Sequence, residues 1–410
     1  MWTVAAEAER RADRRKRLLV LGAGPAQLGL LEAARARGDL EVIALDRDPA
    51  APGFAVADRR AIISTEDERG IQRLAEAERV DGIVAPGIDW PVAIAARVAE
   101  RIGIAHPLAP STAVLATSKA RQRERLAAAG VPQPAWHLVS GPEDGLPVPC
   151  VVKAPDRQGQ RGLSLVDDAR ELEAAITRAL AESRNGHALV EEVADGPEVT
   201  VNAFSVDGNF HPLTVTDRLT AEPPAFGVAL AHVWPSGADG GEAAEVAGSA
   251  VSALGIENGP SYTQLRITRD GPQVVEVAAR LGGGHDAELC LAALGVDLND
   301  LALRDALSEE IDSAALVPEP EVRGASTVFM TAEPGDLEAV DGVEEAEATE
   351  GVLRVRVYRR PGFPVGELRH GADRLGAVQA VGGSRDEAVE RARAAAALVR
   401  FRTARAGTLA

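Results

Sequence analysis

Residues 149–166 read PCVVKAPDRQGQRGLSLV, and this segment decides what fold the 410-residue chain is predicted to have. An apolar run is followed by a glycine-containing loop and then by a second apolar run, so the segment predicts a strand hairpin. Lys153 lies inside the first run, where an unpaired charge is costly to bury. Lysine ammonium groups and the free amides of a glycine-rich loop can together neutralise a triphosphate. The segment therefore predicts a phosphate-binding loop between two strands.

Acidic residues mark the next part of the chain. LVEEVADGPEVTV (189–201) predicts two strands joined by a turn, with Glu191 and Glu192 ending the first strand and Glu198 beginning the second. Such a segment can offer backbone groups to a purine edge, and a carboxylate can bind ribose hydroxyls. A plain hairpin with solvated acids is the alternative interpretation of the same residues.

A second hairpin is predicted at SYTQLRITRDGPQVVEVAAR (261–280), with an Asp-Gly turn. Gln264 and Glu276 fall on its paired strands, and two side chains that share a face can hold a cation between them. Arg280 follows, and its guanidinium can stabilise a phosphoryl group in transfer or bind a carboxylate. Glycines 282–284 leave room for a substrate to approach the backbone.

The first hundred residues have a different pattern. Strand, turn and helix alternate from residue 17 to residue 103, which predicts a parallel sheet with crossover helices. The first turn, GAGPAQLG (22–29), lacks the strict spacing of a dinucleotide-binding turn, although Asp46 stands where a ribose-binding acid would be expected. We interpret this segment as a tight turn in a sheet domain, and a nicotinamide dehydrogenase is a distant alternative.

Composition narrows the class of protein. The net charge of -18 opposes binding to a nucleic-acid backbone, and an aromatic content of 3% leaves few surfaces for base stacking. No run of about 18 apolar residues is present, so no membrane span is expected. Cys150 and Cys290 both lie in apolar runs and are expected to be buried free thiols. A globular cytoplasmic protein of two or three domains is therefore predicted.

Taken in order, Lys119, Lys153, the glycine-rich loop, the acidic turn and the Glu-x-x-x-Arg-x-Gly-Gly run resemble the ATP-grasp superfamily over nearly the whole chain. Within it, the sequence is similar to the carboxylate–amine ligases that include bacterial L-amino acid ligases. The resemblance implies an ATP-grasp fold that combines α/β and α+β parts. It implies a pre-ATP-grasp α/β domain at 1–115, an ATP-grasp domain at 116–320 with a small lid subdomain at about 135–195, and a C-terminal lid-like α+β part at 321–410.

The resemblance also implies roles for individual residues. ATP and Mg²⁺ are the expected cofactors, and the expected catalytic residues are Arg280, which would face an acyl phosphate, and Lys153. Glu276 and Gln264 are the expected metal ligands. The nucleotide is expected to contact Lys119, Lys153, Gly159, Arg161, Gly162, Ser164, Glu191, Glu192, Val193, Ala194 and Glu198. Candidates for substrate contacts are Arg280, Gly283, Gly284, His232, His285 and Arg218.

Two positions depart from the family pattern. The family usually has a glutamate where this chain has Gln264, and a neutral amide weakens the field on a divalent cation. Binding of two metal ions is therefore in question. Many relatives have an asparagine at the position of Ala278, and that change also occurs in the amino acid ligase branch.

The predicted activity is ATP-dependent ligation, in which a carboxylate is activated as an acyl phosphate and captured by an amine. The products are an amide, ADP and phosphate. The expected partners are a small-molecule carboxylate and amine and, because many relatives dimerise, a second copy of the chain; no nucleic acid and no membrane is expected. Two alternatives stay open: a carboxylating ATP-grasp enzyme, which shares every ATP motif, and a non-catalytic nucleotide-binding protein, which Gln264 favours.

Overall fold

A computed structural model describes residues 14–404 of the chain. Its amino-terminal elements are β1 (Lys16–Leu21), α1 (Leu28–Arg37), β2 (Leu40–Asp46), β3 (Arg59–Ile62), α2 (Glu68–Glu78), β4 (Gly82–Val84), α3 (Trp90–Ile102), α4 (Pro110–Ala116) and α5 (Lys119–Ala128). The strands form a parallel sheet in the order β3-β2-β1-β4. Leu18 to Leu21 in the central strand are 0% exposed, as a strand covered on both faces requires. The predicted parallel sheet is confirmed.

The glycine turn after β1 is held by Asp46, the residue at the position expected for a ribose-binding acid. The Asp46 carboxylate accepts a hydrogen bond from the Ala23 amide at 2.9 Å, and Gly22 donates to the Leu45 carbonyl at the same distance. Both contacts belong to the sheet itself. They support the interpretation of this segment as a tight turn.

A small antiparallel sheet follows. Its elements are β5 (Trp136–Val139), β6 (Cys150–Lys153), β7 (Ser164–Val166), α6 (Ala169–Glu182) and β8 (Ala188–Glu192), with the strand order β5-β8-β6-β7. The predicted hairpin is present, with Cys150 paired to Val166. Val152, Val190 and Ile176 are buried between the sheet and α6, so this sheet has an apolar core of its own.

The largest sheet has eight antiparallel strands. Its elements and those around it are β9 (Glu198–Val206), β10 (Asn209–Thr220), β11 (Ala229–Trp234), α7 (Gly240–Leu254), β12 (Gly259–Thr268), β13 (Gly271–Ala278), α8 (Asp286–Leu294), α9 (Leu298–Ala306), β14 (Gly324–Met330), β15 (Gly335–Asp341), α10 (Val343–Glu347), β16 (Val352–Val357), β17 (Pro364–Val365), β18 (Gly376–Gly382), α11 (Arg385–Leu398) and β19 (Arg400–Ala404). The order is β13-β12-β9-β10-β11-β14-β18-β16, and β17-β15-β19 form a separate sheet. The eight-stranded sheet thus takes strands from both sides of residue 320.

The acidic segment 189–201 connects two different sheets. Its strands β8 and β9 do not pair with each other, because β8 lies in the small sheet and β9 in the large one. The plain hairpin interpretation is therefore wrong. Gly196 has a φ of +141°, and a Cβ at this position would lie 1.9 Å from the Ile267 carbonyl oxygen, so the crossing needs a glycine.

One apolar cluster fixes the parallel sheet against the back of the large sheet. Leu19 and Ile94 of the amino-terminal sheet region belong to it, together with Leu126 of α5, Ala250 of α7 and Leu265 of β12. The turn that follows β4 is thereby held next to the end of β13. Cys150 and Cys290 are both buried and free, as predicted. Within residues 14–404, no helix is long and apolar enough to cross a membrane.

A small cavity of about 40 Å³ lies where β4, β12 and α9 meet, and Asp305 is part of its wall. The Asp305 Oδ2 atom is buried and has no hydrogen-bond partner among the described residues. Burial disfavours the charged carboxylate and raises the pKa of Asp305 from its ordinary value of 3.8 to about 7.

This pKa predicts that Asp305 destabilises the fold above neutral pH. Between the two pKa values the folded protein keeps a proton that the unfolded chain has lost, so stability falls as pH rises from 4 to 7 and stays lower above it. We expect Asp305→Asn to raise the free energy of unfolding at pH 8 by about 1 to 4 kcal/mol. Urea unfolding at pH 4 and pH 8 measures it, with Asp270→Asn, whose side chain is 74% exposed, as the control. A gain that is the same at both pH values would contradict the assignment.

Candidate active site

A cavity of about 250 Å³ lies between the small and the large antiparallel sheets. Residues 157–161 of the glycine loop lie on one side of it, and Asp89 of the amino-terminal region contributes to its wall. Many of the residues that the sequence predicts to bind nucleotide, metal or substrate line this cavity. These are Lys119, Lys153, Gly159, Arg161, Glu191, Glu192, Val193, Ala194, Glu198, Arg218, Gln264, Glu276 and Arg280.

Three residues of the glycine loop have left-handed backbone conformations. Gly159, Gln160 and Gly162 have φ values of +67°, +68° and +69°, a region that favours glycine. Gly162 packs against α6 and Ser164 begins β7, so these two residues form the base of the loop and are not part of the cavity wall. The Lys119 ammonium donates to the Arg157 carbonyl at 2.8 Å and so holds the first turn of the loop.

Lys153 belongs to a buried cluster of three charged groups. Its Nζ lies 2.6 Å from Glu191 Oε2, and Arg123 Nε lies 2.6 Å from Glu191 Oε1. Burial lowers the pKa of Lys153, and the nearby Arg123 lowers it further, against the attraction of Glu191. Burial alone would raise the pKa of Glu191, but Arg123 and Lys153 together hold it below its usual range. The glutamate is therefore ionised and fixes Lys153 at the cavity wall.

Arg123 is the residue of this cluster that sequence reasoning missed. It is 1% exposed, and its guanidinium also donates to the Val274 and Val275 carbonyls at 2.9 and 2.6 Å. It lies on α5 four residues after Lys119, a spacing that places both side chains on one face of the helix. That spacing was a usable signal, because one face of α5 then points towards the site.

Replacing Arg123 by methionine is expected to destabilise the protein by about 3 to 5 kcal/mol. The substitution leaves Glu191 buried with a single cationic partner and leaves two β13 carbonyls without their donors. Thermal and urea unfolding measure the effect. Arg125→Met is the control, since Arg125 is exposed on the same helix. Equal stability of the two variants would show that the cluster contributes nothing to folding.

Glu198 already has two cationic partners. Its Oε1 lies 2.6 Å from Arg218 Nη1 and its Oε2 lies 3.0 Å from Arg266 Nη2. Arg218 also donates to the Gly227 carbonyl at 2.9 Å, and Arg266 to the Gly196 carbonyl at 2.9 Å. A carboxylate has about four lone-pair sites, so Glu198 keeps acceptor capacity for a hydroxyl group. The ribose contact predicted for it stays a prediction.

Gln264 and Glu276 face each other directly across the β12–β13 pair. Glu276 Oε1 lies 2.7 Å from Lys119 Nζ, and Gln264 Nε2 donates to the Tyr262 hydroxyl at 3.3 Å. Burial would raise the pKa of Glu276, but Lys119, Lys153 and Arg280 hold it below its usual range. The carboxylate is thus available to a cation.

These residues fit one magnesium ion carried by a nucleotide. Mg²⁺ in such sites takes one or two carboxylates, with phosphate oxygens and water completing its shell. Glu276 supplies one carboxylate, and the Gln264 amide oxygen is a neutral ligand beside it. Within residues 14–404, no three His, Cys, Asp or Glu side chains are grouped as a metal site of their own. A metal site made entirely of protein carboxylates does not fit this part of the chain.

Arg280 is held by a carboxylate from the amino-terminal region. Its Nε and Nη2 lie 2.6 and 2.5 Å from Asp89 Oδ1, and its Nη1 donates to the Leu281 carbonyl at 2.9 Å. Burial would lower the pKa of Arg280, but Asp89 and Glu276 raise it, so the guanidinium stays charged. Asp89 was missed in the sequence. Its position just after β4, at the carboxyl edge of the parallel sheet where ligands commonly bind, was the available signal.

The remaining substrate candidates lie outside the cavity wall. His232 is 2% exposed, and burial lowers its pKa to about 4, so it is neutral at pH 7. Gly284 lies against it, since a Cβ there would approach His232 Nε2 to 2.7 Å. His285 bonds the Tyr358 hydroxyl at 2.5 Å and Glu288 Oε1 at 3.0 Å. These contacts hold the start of α8. Gly283, just before it, lies against the turn at Gly87, since a Cβ at Gly283 would be 3.0 Å from the Gly87 carbonyl oxygen.

Two family models match the chain. A model described as ATP-grasp domain matches residues 146–288, which hold the glycine loop, the acidic crossing and the β12–β13 pair. A model described as L-amino acid ligase C-terminal domain 2 matches residues 328–404. The first match spans most of the cavity wall, and the second spans the last strands of the large sheet.

Whole-chain comparisons agree with the family models. An uncharacterised protein of Sinorhizobium fredii is 29% identical over 403 residues, which cover 92% of this chain and 81% of that protein. The formate-dependent phosphoribosylglycinamide formyltransferase of Burkholderia lata is 29% identical over 416 residues, covering 95% and 96%. The crystal structure of L-amino acid ligase from Bacillus licheniformis matches with a TM-score of 0.82 and 24% identity, covering 96% of this chain and 100% of the other. This last likeness shows that the fold is shared.

Proposed function

The chain belongs to the ATP-grasp superfamily, and on that premise we propose that it is an ADP-forming ligase that joins a small carboxylate to an amine. ATP and Mg²⁺ are its cofactors. One observation carries the proposal: Lys119, Lys153, the glycine loop, Glu276 and Arg280 all border a single cavity. Lysines, loop amides and a guanidinium around one space are what a triphosphate and a reacting carboxylate need.

The first step transfers the γ-phosphoryl group of ATP. An oxygen of the substrate carboxylate attacks the γ-phosphorus, the bond to the β-phosphate oxygen breaks, and ADP and an acyl phosphate result. Negative charge spreads over the transferring group, and protein catalysis here consists mainly of positioning and charge stabilisation. Lys153, Lys119 and Arg280 supply the positive charge. Glu276 would hold a magnesium ion, which would supply additional neutralisation of phosphate charge.

The second step forms the amide. The nitrogen of a neutral amine attacks the acyl carbon, phosphate leaves, and the nitrogen loses a proton. The acyl phosphate has to be kept from water meanwhile, because hydrolysis would return the acid and waste the ATP. The glycine loop lies on the cavity wall, where it can exclude water.

The test is release of ADP in the presence of candidate acids and amines, with the amide identified by mass spectrometry. The twenty amino acids, singly and in pairs, form the first screen. Formate and phosphoribosylglycinamide belong in it as well, because the Burkholderia lata relative is named for them. Carboxylate-stimulated ADP release with a matching amide is the expected result. If no carboxylate stimulates ADP release, the proposal fails.

Two alternatives have distinct outcomes. A carboxylating enzyme would require bicarbonate for ATP turnover and would yield a carbamate or carboxylated product. A nucleotide-binding protein without activity is favoured by Gln264, because its amide gives a weaker metal site. In that case ATP would bind without turnover, and Gln264→Glu would restore hydrolysis. Each result separates one alternative from ligation.

Location and assembly are part of the same proposal. The cytoplasm provides ATP and Mg²⁺, so it is the expected compartment. The acidity of the chain, with its net charge of -18, opposes a nucleic-acid partner. A homodimer is the expected assembly, and sedimentation at micromolar concentration would measure it.

A further inference from the structure

Asp89 connects the glycine loop with Arg280. Its Oδ1 atom accepts a hydrogen bond from Arg280 Nε at 2.6 Å and lies 2.5 Å from Arg280 Nη2 in an ion pair. Its backbone N–H donates to the Gln158 side-chain oxygen at 2.5 Å. One residue of the amino-terminal region therefore contacts both the loop over the cavity and the guanidinium inside it.

The Asp89 carboxylate does not stabilise its own helix. Aspartate is a favoured helix N-cap because its carboxylate accepts a backbone N–H of the first turn. Asp67, Asp168, Asp239 and Asp297 all do this at the starts of α2, α6, α7 and α9. Asp89 occupies the same position at α3 and makes no such bond. A residue that gives up a local stabilising contact for a distant one is expected at a functional site.

Further contacts hold the small sheet against the amino-terminal region. Arg184, which follows the C-cap of α6, forms an ion pair with Glu66 at 2.6 Å and lies 3.9 Å from the centre of the Trp90 ring. On the other side, the Gln160 side-chain oxygen accepts a hydrogen bond from the Gly371 amide at 3.3 Å. The loop is thus docked on two separate parts of the chain, an arrangement that covers the cavity.

We propose that Asp89 is a positioning residue that couples docking of the glycine loop to the placement of Arg280. This inference rests on the proposed ligase function. With the loop docked, Gln158 fixes the Asp89 backbone, and the Asp89 carboxylate orients the Arg280 fork towards the transferring phosphoryl group. With the loop undocked, the Asp89 backbone loses the Gln158 contact and the Arg280 fork is held less firmly, so phosphoryl transfer is slower in the state that water can enter.

Two variants separate the two contacts of Asp89. Asp89→Asn keeps the backbone N–H that Gln158 uses and weakens the bond to Arg280. We expect kcat to fall by about 10- to 100-fold, the usual effect of a misplaced group, while KM for ATP stays within about threefold. Gln158→Ala removes the loop contact, and we expect acyl phosphate formation to slow by about tenfold because the Asp89 backbone is no longer fixed. The ADP that is formed should exceed the amide, because water reaches the acyl phosphate. Asp239→Asn, the same substitution at the exposed helix cap of α7, is the control.

Hydrogen exchange of residues 157–163 gives a readout that does not need turnover. A non-hydrolysable ATP analogue should protect this segment in the wild-type protein and in Asp89→Asn, and should protect it less in Gln158→Ala. The proposal is overturned if Asp89→Asn keeps the wild-type kcat, or if Gln158→Ala keeps both the protection and a 1:1 ratio of ADP to amide. A wild-type protein without carboxylate-stimulated ADP release would instead refute the ligase function. In that case the exchange pattern alone decides whether Gln158 docks the loop.

Discussion

Arg280→Ala is expected to lower kcat by about a thousandfold, the scale on which removal of a transition-state arginine acts in phosphoryl transfer. The guanidinium lines the cavity, is 12% exposed and stays charged between Asp89 and Glu276. A charge in such a site acts on the transferring group with little screening by water. Arg280→Lys keeps a charge but loses the planar fork, so we expect it to recover a small part of the activity. Rapid-quench measurement of acyl phosphate formation gives the rate of the phosphoryl-transfer step directly.

The control for Arg280 lies on the neighbouring hairpin turn. Arg269 has a side chain that is 92% exposed, and Arg269→Ala should leave kcat and the binding of ATP unchanged. Nucleotide affinity of Arg280→Ala should change much less than its kcat, because the loss concerns the transition state. A kcat within threefold of the wild-type value would remove Arg280 from the mechanism.

Glu276→Gln is expected to lower turnover by about a hundredfold at saturating ATP, since a bound metal contributes several kcal/mol of charge stabilisation. Gln264 is already neutral, so this change leaves the β12–β13 pair with two amides and no carboxylate. Lys119 also loses the partner that lies 2.7 Å from its ammonium. The Mg²⁺ concentration for half-maximal turnover should rise by at least about tenfold. A magnesium titration of ADP release measures both effects.

Glu245→Gln is the matched control, because Glu245 is an exposed residue of α7. The same titration should give the wild-type curve. An unchanged magnesium requirement in Glu276→Gln would mean that the ion is held by the nucleotide alone. Gln264→Glu offers the opposite change, and it should lower the magnesium concentration that is needed.

Local sequence patterns predicted most secondary structure elements around the site. The apolar runs on both sides of the glycine loop gave the β6–β7 hairpin, and the Asp-Gly turn gave the β12–β13 hairpin. Both depend on neighbours within a few residues, which is the range over which turn chemistry and alternation act. The strand pairing of segment 189–201 cannot be predicted in the same way. Two strands joined by a short turn have the same sequence pattern whether they pair with each other or lie in different sheets. Their partners, β6 and β12, are distant in sequence.

Long-range ion pairs were beyond the reach of the sequence. Arg123 and Glu191 are 68 residues apart, and Asp89 and Arg280 are 191 residues apart. Neither pairing produces a periodic pattern in the sequence, because each depends on how two distant elements pack against each other. The prediction that His232 and His285 contact the substrate rests on residue type. In the structure both are buried, and their contacts lie at the start of α8.

The kinds of chemical group and their order along the chain follow from the sequence by itself. They include two lysines, a glycine loop, an acidic crossing, a Gln/Glu pair and an arginine before glycines, because residue type and short-range periodicity are local properties. Only the tertiary structure decided which of these groups share one cavity and which partner holds each charge. Sheet order and the packing of the amino-terminal region against β13 determine those distances, and both arise from apolar contacts between segments far apart in the chain.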